Sequence, residues 1–594
     1  MLLDTKESGE DPFNEIENIL SWEDFTKSIT ETEKLGQVEN FDSYAFLAKS
    51  YNQLRRYTPM LLDMLDIGSV PTANDIQSGV QIIKHLNETK GRKVPDDAPD
   101  SFIRKRWKDF VFTDQGTDRC FYEMAVLSEL KNGLRSGDIW VEGSRQFKIF
   151  DEYLLPVDKY NELLLEKSLG LPIELNFDIF IEDKLNALTN SLKTVEGLAE
   201  SNDLPDATFS NKGRLSITPL DNAVPPEADA FINKIYDLLP RVKITELLVE
   251  VDSWTNFSSE FKHLKSNDPT KEIQPLLTTI LAGALNFGLR KMSESCPGST
   301  YNKLSWIQAW YIRDETYSKA LSVIINAQAA QPFSTWWGDG STSSSDGQNF
   351  KTGGRGSFTG QVNLRHGQTP GMQIYTHLSG QYAPFHSRPI SAAVRDAPFV
   401  LDGLLYHESD IRIKEHYIDT HGFTDHVFAI MHLLGFKFSP RIRDLADKRL
   451  YIYGNVDDYP TLSPMIGGNI NINKIRDHWQ EILRFASSIK HGTVTASLIL
   501  RKLGNYPRQN GLAVAIRELG RIERTLFALE WMQSVDLRRR VQIGLNKGEG
   551  KNSLSRAVFF NRLGEIRDQS YESQRYRASA LNLVVAAIIL WNTV

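Results

Sequence analysis

The stretch between residues 341 and 442 contains two patterns of apolar and polar positions. Short runs of small or alternating residues predict strands, and runs with apolar residues three or four positions apart predict amphipathic helices. These runs follow one another in the order strand, strand, strand, helix, strand, helix, strand. The predicted elements lie at 341–350, 371–378, 384–391, 396–407, 414–419, 424–434 and 436–442.

Outside this stretch the helical period dominates. A hairpin is predicted at 138–149, and 201–227, rich in Pro, Asn, Asp and Ser, is predicted to be a linker or long loop. The most apolar segment, 580–591, is shorter than the roughly 20 residues needed to cross a bilayer, so it predicts a buried helix. Other helices are predicted at 119–135, 156–168, 178–199, 228–239, 244–251, 273–292, 303–329, 475–487, 493–503 and 512–533.

Two of the predicted strands carry an aspartate, which is costly to bury in a strand without a partner or metal. Asp346 lies within the first strand, and Asp419 ends the fourth strand, 73 residues later. This order of elements is typical of the ribonuclease H-like arrangement, in which the first and fourth strands are neighbours and bring their aspartates together. The sequence therefore predicts an α/β catalytic domain of ribonuclease H-like type, built on a mixed five-stranded sheet with helices.

A third acidic ligand is expected on a later helix, and Glu549 is the candidate. It lies near the start of a helix predicted from about residue 546, and it follows Asp419 by 130 residues. That separation is too long for a single crossover connection. We therefore expect an all-α insertion between the fifth strand and the Glu549 helix, and a mostly α-helical region before the catalytic domain.

The residues alone leave simpler interpretations open. Asp425 is an alternative second ligand, although an acid in the first turn of a helix also favours the helix dipole. Glu549 alone would be read as a solvated carboxylate at a helix start. Arg441 and Arg443 are either solvated surface or phosphate contacts. The histidines at 407, 416, 421 and 426 lack the HExxH spacing, so zinc is not expected.

Charge is distributed unevenly along the chain. The total is −7, but the segment 437–577 holds 25 basic and 14 acidic residues, a net of +11 that leaves −18 for the remainder. The basic segment includes Glu549, so it favours a polyanionic partner near the candidate site. Only Cys120 and Cys296 occur, which indicates a reducing, cytoplasmic compartment rather than a disulfide scaffold.

Three blocks of sequence resemble the catalytic blocks of the Tn3 family of replicative DDE transposases. They are SSSDGQNF around Asp346, HYIDTHGFTDHVF around Asp419, and LNKGEGKNSLSRAVFFNRLGEIRDQS around Glu549. The resemblance extends upstream through WIQAWYIRDETYSKAL and GLRSGDIWVEGSRQF, and so covers most of the chain. It implies catalytic and metal-binding roles for the three carboxylates.

The chemistry of these carboxylates points to a divalent cation. Three negative charges held together would repel, so a metal is needed to keep all three ionised at neutral pH. Oxygen ligands select Mg²⁺ or Mn²⁺, and two ions are expected to flank the scissile phosphate. Phosphate contacts are expected from Lys547, Arg556, Arg441 and Arg443.

The resemblance implies an enzyme that recognises double-stranded DNA with terminal inverted repeats, nicks the 3′ ends and joins them to target DNA, producing a cointegrate. It further implies a homodimer without membrane association, at the bacterial nucleoid. The chain lacks the long N-terminal region and the further C-terminal segment expected of such proteins, so it is interpreted as truncated at both ends. A catalytically inactive DNA-binding or dimerising protein that interferes with a full-length transposase is the alternative, and a purely hydrolytic nuclease is a third.

The pattern and the resemblance together predict five regions. They are a mostly helical linker or scaffold with a short hairpin (1–200), a helical scaffold or dimerisation region (201–330), the first part of the ribonuclease H-like core (331–445), the helical insertion (446–540), and the last part of the core with the third acidic residue (541–594).

Overall fold

The computed structural model describes residues 51–594 and six residues near the N-terminus, 21, 23–24 and 26–28. Within 51–594 the description excludes 115, 210–214, 219, 221–226, 354–370, 393–395, 421–422, 443–444, 446–448, 505–510 and 569. The chain divides into two compact units, Met1–Ile149 and Phe150–Val594. Each unit has its own hydrophobic core.

The first unit is mostly helical, as the sequence predicts. Its largest helices pack through buried apolar residues such as Val80 and Val126. The hairpin predicted at 138–149 is wrong, because the strand at 139–141 pairs antiparallel with a strand some 70 residues upstream. Alternation within one segment could not reveal that distant partner. The elements are α1 Thr58–Met64, β1 Ile67–Ser69, α2 Asn74–Glu88, α3 Lys105–Val111, β2 Phe112–Thr113, β3 Gly116–Thr117, α4 Arg119–Ser136 and β4 Ile139–Val141.

The second unit begins with a layer of helices. Two predicted helices, 273–292 and 303–329, are each divided in two, at Asn286 and near Ile312. A short antiparallel pair of strands also lies within the predicted loop 201–227. The elements are α5 Val157–Leu165, α6 Phe177–Glu200, β5 Ala207–Phe209, β6 Leu215–Ile217, α7 Glu227–Tyr236, α8 Ile244–Thr255, α9 Ile273–Ala284, α10 Gly288–Ser295, α11 Tyr301–Tyr311 and α12 Asp314–Ala329.

A mixed five-stranded sheet follows, which confirms the predicted sheet. Its strands are β7 Thr342–Lys351, β8 Gly371–Ser379, β9 His386–Ser391, β10 Glu415–Ile418 and β11 Lys437–Pro440, and their spatial order is β11, β10, β7, β8, β9. The pairs β7–β8 and β8–β9 are antiparallel, whereas β7–β10 and β10–β11 are parallel. The first and fourth strands are therefore neighbours, as the sequence predicts.

Helices cover both faces of this sheet. On one face, α13 Val400–Leu405 approaches β8, with Val400 O accepting a hydrogen bond from His377, and Phe428 of α14 Asp425–Leu433 packs on Phe438 of β11. On the other face lies α19 Val535–Val558, which packs on β7 and β10. Because successive side chains of a strand point to opposite faces, alternate residues of β7 lie under α13 and α14 or under α19.

The helix that carries Glu549 begins at Val535, so the prediction that it begins near residue 546 is wrong. Glu549 is the fifteenth of its 24 residues. One glycine of the helix, Gly544, is closely packed on the sheet. A Cβ added to Gly544 would lie 2.3 Å from the Tyr417 ring, and one added to Gly548 would lie 3.8 Å from Ser344 Oγ. Glycine at 544 therefore lets the helix backbone lie close to the sheet, whereas a Cβ at 548 would make only an ordinary contact.

The segment between β11 and α19 is mostly helical, but the prediction that it is all-α is wrong. Strands β12 Leu450–Ile452 and β13 Ile466–Asn469 form a short parallel pair, consistent with the strand preference of the run Leu450–Ile452. The helices are α15 Ile472–Asp477, α16 Trp479–Lys490, α17 Ala496–Gly504 and α18 Gly511–Gln533. Helix α18 packs closely on α14, and a Cβ at Gly520 would collide with Asp425 O at 1.8 Å.

The last helix, α20 Tyr571–Thr593, contains the apolar segment 580–591. Most of its apolar side chains are buried, including Leu583, Val584 and Val585, which confirms the predicted buried helix. Among the residues that the structure describes, no helix combines the length and the apolar character needed to cross a membrane.

Candidate active site

The two strand aspartates lie side by side. In the parallel pair β7–β10, Ser343 is opposite His416 and Ser344 is opposite Tyr417. Continuing this register by two residues brings Asp419, just beyond β10, level with Asp346. The negative charge of Asp419 contributes to raising the pKa of the Asp346 carboxyl.

Asp346 is open to solvent but is surrounded by protein on several sides. Burial raises the pKa of its carboxyl above the ordinary value, and Asp419 raises it further. Three donors or charges oppose this rise: Gly347 N at 2.8 Å from Oδ1, Asn552 Nδ2 at 2.8 Å from Oδ2, and the Lys551 ammonium. Asp346 is therefore a carboxylate held in a fixed orientation by the strand and by α19.

Lys551 is a buried lysine on the face of α19 that covers the sheet. Its Nζ donates a hydrogen bond of 3.0 Å to Thr376 Oγ1, and Thr376 is the antiparallel partner of Asp346 in β8. Burial lowers the pKa of Lys551 to about 8, and the nearby Asp346 acts against that decrease. The structure thus balances part of the negative charge of Asp346 with an internal cation.

The second aspartate is paired with an arginine. Asp419 Oδ1 lies 2.8 Å from Arg441 Nη2. The alternative ligand Asp425 has a different partner, since Arg524 Nε of α18 donates a 2.6 Å hydrogen bond to Asp425 Oδ1. The geometry therefore places Asp419, rather than Asp425, at the level of Asp346, and it places Asp425 at the contact between α14 and α18.

Glu549 lies on an exposed flank of α19. It precedes Asn552 by three residues and Arg556 by seven, so these three side chains follow one stripe of the helix. Its carboxylate extends toward solvent and does not join the aspartates. Among the described residues, no three carboxylate, histidine or cysteine side chains are close enough together to hold a metal ion.

The predicted phosphate contacts are in different environments. Arg556 is exposed, whereas Arg441 is engaged with Asp419. Lys547 lies on the opposite flank of α19 from Glu549, and its Nζ donates 2.7 Å hydrogen bonds to Trp337 O and Gly380 O. Arg443 lies outside the described residues.

Sequence reasoning missed three residues near Asp346. Lys551 and Asn552 stand two and three positions after Glu549, and the i, i+3 spacing of Glu549 and Asn552 on one helix was the available signal. The third is Asp396, whose pKa burial raises to about 6, with the charge of Asp346 adding to the increase. The sequence pattern predicts Asp396 only as the first residue of the helix 396–407.

The opposite face of β7 has a different character. Ser343 Oγ and Ser345 Oγ lie 2.7 and 2.8 Å from the two ring nitrogens of His416, and Ser345 Oγ also lies 2.6 Å from Tyr375 Oη. These residues are buried. Burial lowers the pKa of His416 well below its ordinary value and lowers that of His377 to about 4. The histidines on this face are therefore neutral.

Comparisons with known proteins agree with the resemblance of the sequence blocks. The family model described as the Tn3 transposase DDE domain matches residues 246–594. Similar proteins include the transposase for transposon Tn501 of Pseudomonas aeruginosa, 59% identical over 593 residues, and that for Tn1546 of Enterococcus faecium, 41% identical over 596 residues. The transposase for transposon gamma-delta of Escherichia coli K12 is 31% identical over 577 residues.

These alignments take up nearly all of this chain but only part of each relative. They cover 100%, 100% and 96% of the chain, and 60%, 60% and 57% of the respective relatives. The chain therefore spans about 60% of the length of the curated relatives that it matches. DDE transposases are phosphoryl-transfer enzymes that typically depend on divalent metals, and this chain belongs to the Tn3 family of transposases.

Proposed function

We propose that the chain carries the catalytic centre of a DDE transposase, with Asp346, Asp419 and Glu549 as its carboxylates on a ribonuclease H-like core. The register of the parallel pair β7–β10 is the main support, since it brings two aspartates 73 residues apart in sequence to one level of the sheet. Helix α19 lies directly over this point and presents Glu549 one turn from Asn552, which touches Asp346. Each of the three carboxylates comes from one of the three sequence blocks that resemble the catalytic blocks of the Tn3 family.

The donor set has the chemistry that a hard divalent cation requires. All three side chains offer carboxylate oxygens, which suit Mg²⁺ or Mn²⁺ rather than zinc. In the structure, Asp346 accepts a hydrogen bond from Asn552 and lies near the Lys551 ammonium. Asp419 forms an ion pair with Arg441. A site that uses all three carboxylates requires the Glu549 side chain to turn along α19 toward Asp346, and the exposure of that side chain leaves it free to do so.

Two divalent ions, when bound, would activate the attacking water or 3′-hydroxyl and stabilise the leaving oxygen. The chain itself supplies position and charge. Asn552 fixes the orientation of the Asp346 carboxylate, and the charge of Lys551 opposes the rise in the pKa of that carboxyl. Arg556, exposed two turns after Glu549 on the same stripe, is placed to hold a phosphate beside the site. No nucleophilic side chain of the protein is required.

We further propose that the substrates are terminal inverted repeats and target DNA, and that the reaction is cleavage at the 3′ ends followed by strand transfer and cointegrate formation. The related proteins are transposases of named transposons, and the segment 437–577 has a net charge of +11 that suits a DNA partner. We propose a homodimer as the active assembly, on the family resemblance alone.

A cleavage and joining assay tests the proposal. The full chain is incubated with a labelled duplex taken from the repeat that flanks the coding region, with a target plasmid, and with Mg²⁺, Mn²⁺ or Ca²⁺. Nicked and joined products that require Mg²⁺ or Mn²⁺ and disappear in Asp346→Asn support a transposase centre. Hydrolysis without joining would indicate a nuclease. DNA binding without either reaction would indicate an inactive, interfering protein.

A further inference from the structure

The turn after α19 holds a bulky apolar side chain out in water. Leu563 is 99% exposed, the largest value among the large apolar side chains that the structure describes, and Phe560 beside it is 54% exposed. Leucine is usually buried, because removing its apolar surface from water is favourable. A fully exposed leucine next to a half-exposed phenylalanine makes this turn, residues 560–564, a candidate contact surface, and the backbone of the turn supplies a second, independent observation.

The backbone of this turn is strained. Arg562 and Leu563 both have left-handed conformations, with φ of +55° and +52°. Such values are uncommon for residues other than glycine and unfavourable for bulky ones, and two in succession are rarer still. Strained residues persist only where the surrounding structure fixes them, and they concentrate at functional sites.

Buried hydrogen bonds fix this turn from both ends. Asn286 Nδ2 donates to Asn561 O at 3.1 Å and to Glu565 O at 2.8 Å. Asn561 Nδ2 donates back to Asn286 O at 2.7 Å, and Lys291 Nζ donates to Asn561 Oδ1 at 2.7 Å. Asn286 and Asn561 are themselves buried. The backbone on both sides of Leu563 is thus held in place by these bonds, and Leu563 projects from a fixed turn.

The turn is attached to the elements that carry the proposed catalytic centre. It directly follows α19, the helix of Glu549 and Arg556. On its other side, Ile566 N donates to Lys351 O at 2.9 Å and Gly353 N donates to Ile566 O at 3.0 Å, which joins it to the end of β7, the strand of Asp346. Arg562, beside Leu563 in the turn, is an exposed cation, and Lys291 at the base of the turn is hydrogen-bonded to Asn561 Oδ1.

We propose that Leu563, supported by Phe560, is an apolar wedge that enters a base step of the DNA duplex bound at this site. A duplex offers both surfaces that the turn would match, phosphates for the cations and the flat apolar faces of stacked bases for Leu563. Insertion of apolar side chains between base steps is a common way for proteins to unstack and kink DNA. The turn belongs to the segment 437–577, whose net charge of +11 favours a polyanionic partner over a second copy of the same segment. The wedge rests on the proposed function, because it requires that DNA binds at the carboxylates.

Fluorescence of 2-aminopurine placed at successive positions of the flanking-repeat duplex reports unstacking directly. We expect binding of the full chain to increase the emission several-fold at one or two adjacent positions only. Leu563→Ala should abolish that increase and weaken binding by roughly tenfold, whereas Leu563→Met, which keeps an apolar tip, should retain it. Leu165→Ala is the matched control, since Leu165, at the end of α5, is 85% exposed. It should behave as the unchanged chain does.

The outcomes separate the two proposals. Binding of the duplex without a localised increase, or an increase that survives in Leu563→Ala, would overturn the wedge and leave the proposed function standing. Absence of duplex binding by the unchanged chain would overturn both. Sedimentation of each variant completes the test, because a dimer that becomes monomeric in Leu563→Ala would show that the tip contacts a second copy instead of DNA.

Discussion

The two faces of the five-stranded sheet use polar residues for opposite purposes. On the face covered by α13 and α14, Ser343, Ser345 and His416 are buried, hydrogen-bonded and neutral. On the face covered by α19, the Asp346 carboxyl is open to solvent and lies near the buried Lys551 amine, and each favours the charged form of the other. Both faces belong to the same strand, and one step along β7 moves from one to the other.

This difference separates stability from chemistry. A sealed network of neutral groups fixes the strands relative to one another, because each unpaired member would be costly. A partly buried carboxylate such as Asp346 lowers stability, and groups of this kind are concentrated at functional sites. Changes on the histidine face should therefore unfold the protein before they affect cleavage, and changes on the α19 face should do the reverse.

The largest expected effect comes from neighbouring residues of β7. Asp346→Asn should decrease cleavage on the order of 10³-fold or more with little change in stability, because it removes a proposed ligand and keeps the shape. Ser345→Ala should leave the rate constant of the folded protein unchanged. It should cost about 1–3 kcal/mol of unfolding free energy, since Tyr375 and His416 lose a buried partner. Cleavage assays measure the first effect and urea unfolding the second. Equal loss of activity in both variants would contradict the separation of the two sheet faces into a catalytic and a stabilising one.

Acid should act through the histidine face. The pKa of His377 is about 4 in the fold against 6.5 for a free histidine, because burial disfavours its charged form. Below pH 6.5 the unfolded chain takes up a proton that the folded chain does not, so stability falls as the pH decreases toward 4. The loss due to this residue is on the order of 3 kcal/mol. Urea unfolding between pH 7 and pH 4.5 measures it. The slope should be shallower in His377→Gln, and an unchanged slope would assign the acid sensitivity elsewhere.

Two glycines of α19 provide a matched pair. Gly544→Ala should destabilise the protein by about 1–3 kcal/mol and decrease cleavage, because the new Cβ meets the Tyr417 ring and displaces the helix that carries Glu549. Gly548→Ala, with its Cβ 3.8 Å from Ser344 Oγ, should be tolerated or slightly stabilising. Thermal unfolding and cleavage rates distinguish them. Similar behaviour of the two variants would contradict the close packing at Gly544.

The glycines also show where sequence reasoning succeeded and where it did not. The parallel pairing of β7 with β10 could be predicted, since the order of strands and helices leaves few topologies for a five-stranded sheet. The start of α19 could not, because glycine is unfavourable inside a helix, and the close packing of Gly544 on Tyr417 depends on a sheet that the local sequence does not show. The false hairpin at 138–149 has the same cause, a partner strand that lies far away in sequence.

The candidate site was predictable in part for similar reasons. Asp346, Asp419 and Glu549 stand within long sequence blocks, and the resemblance predicts them as ligands; the structure brings Asp346 and Asp419 to one level of the sheet and leaves Glu549 on the exposed flank of α19. Lys551 and Asn552 were missed, because their roles depend on which face of α19 meets the sheet. Lys547 was expected to contact phosphate, yet it donates to Trp337 O and Gly380 O. Side-chain direction on a helix is decided by packing, and packing was not visible in the sequence.

The smallest effect concerns salt. Arg556→Gln should decrease the slope of log affinity for duplex DNA against log salt by about one, as expected for the loss of a single phosphate contact. Lys547→Gln should change that slope less, because its ammonium is already bound by two carbonyls, and it should instead decrease stability. Binding titrations at several salt concentrations measure both. A larger change of slope in Lys547→Gln than in Arg556→Gln would show that Lys547 turns outward when DNA binds.

Binding of Mn²⁺, followed by electron paramagnetic resonance with the full chain on its duplex, tests the central claim most directly. Asp346→Asn, Asp419→Asn and Glu549→Gln should each weaken Mn²⁺ binding by about tenfold or more. Asp425→Asn, which removes the carboxylate held by Arg524, should leave it unchanged. Full Mn²⁺ affinity in Asp419→Asn, together with its loss in Asp425→Asn, would contradict the assignment of the site.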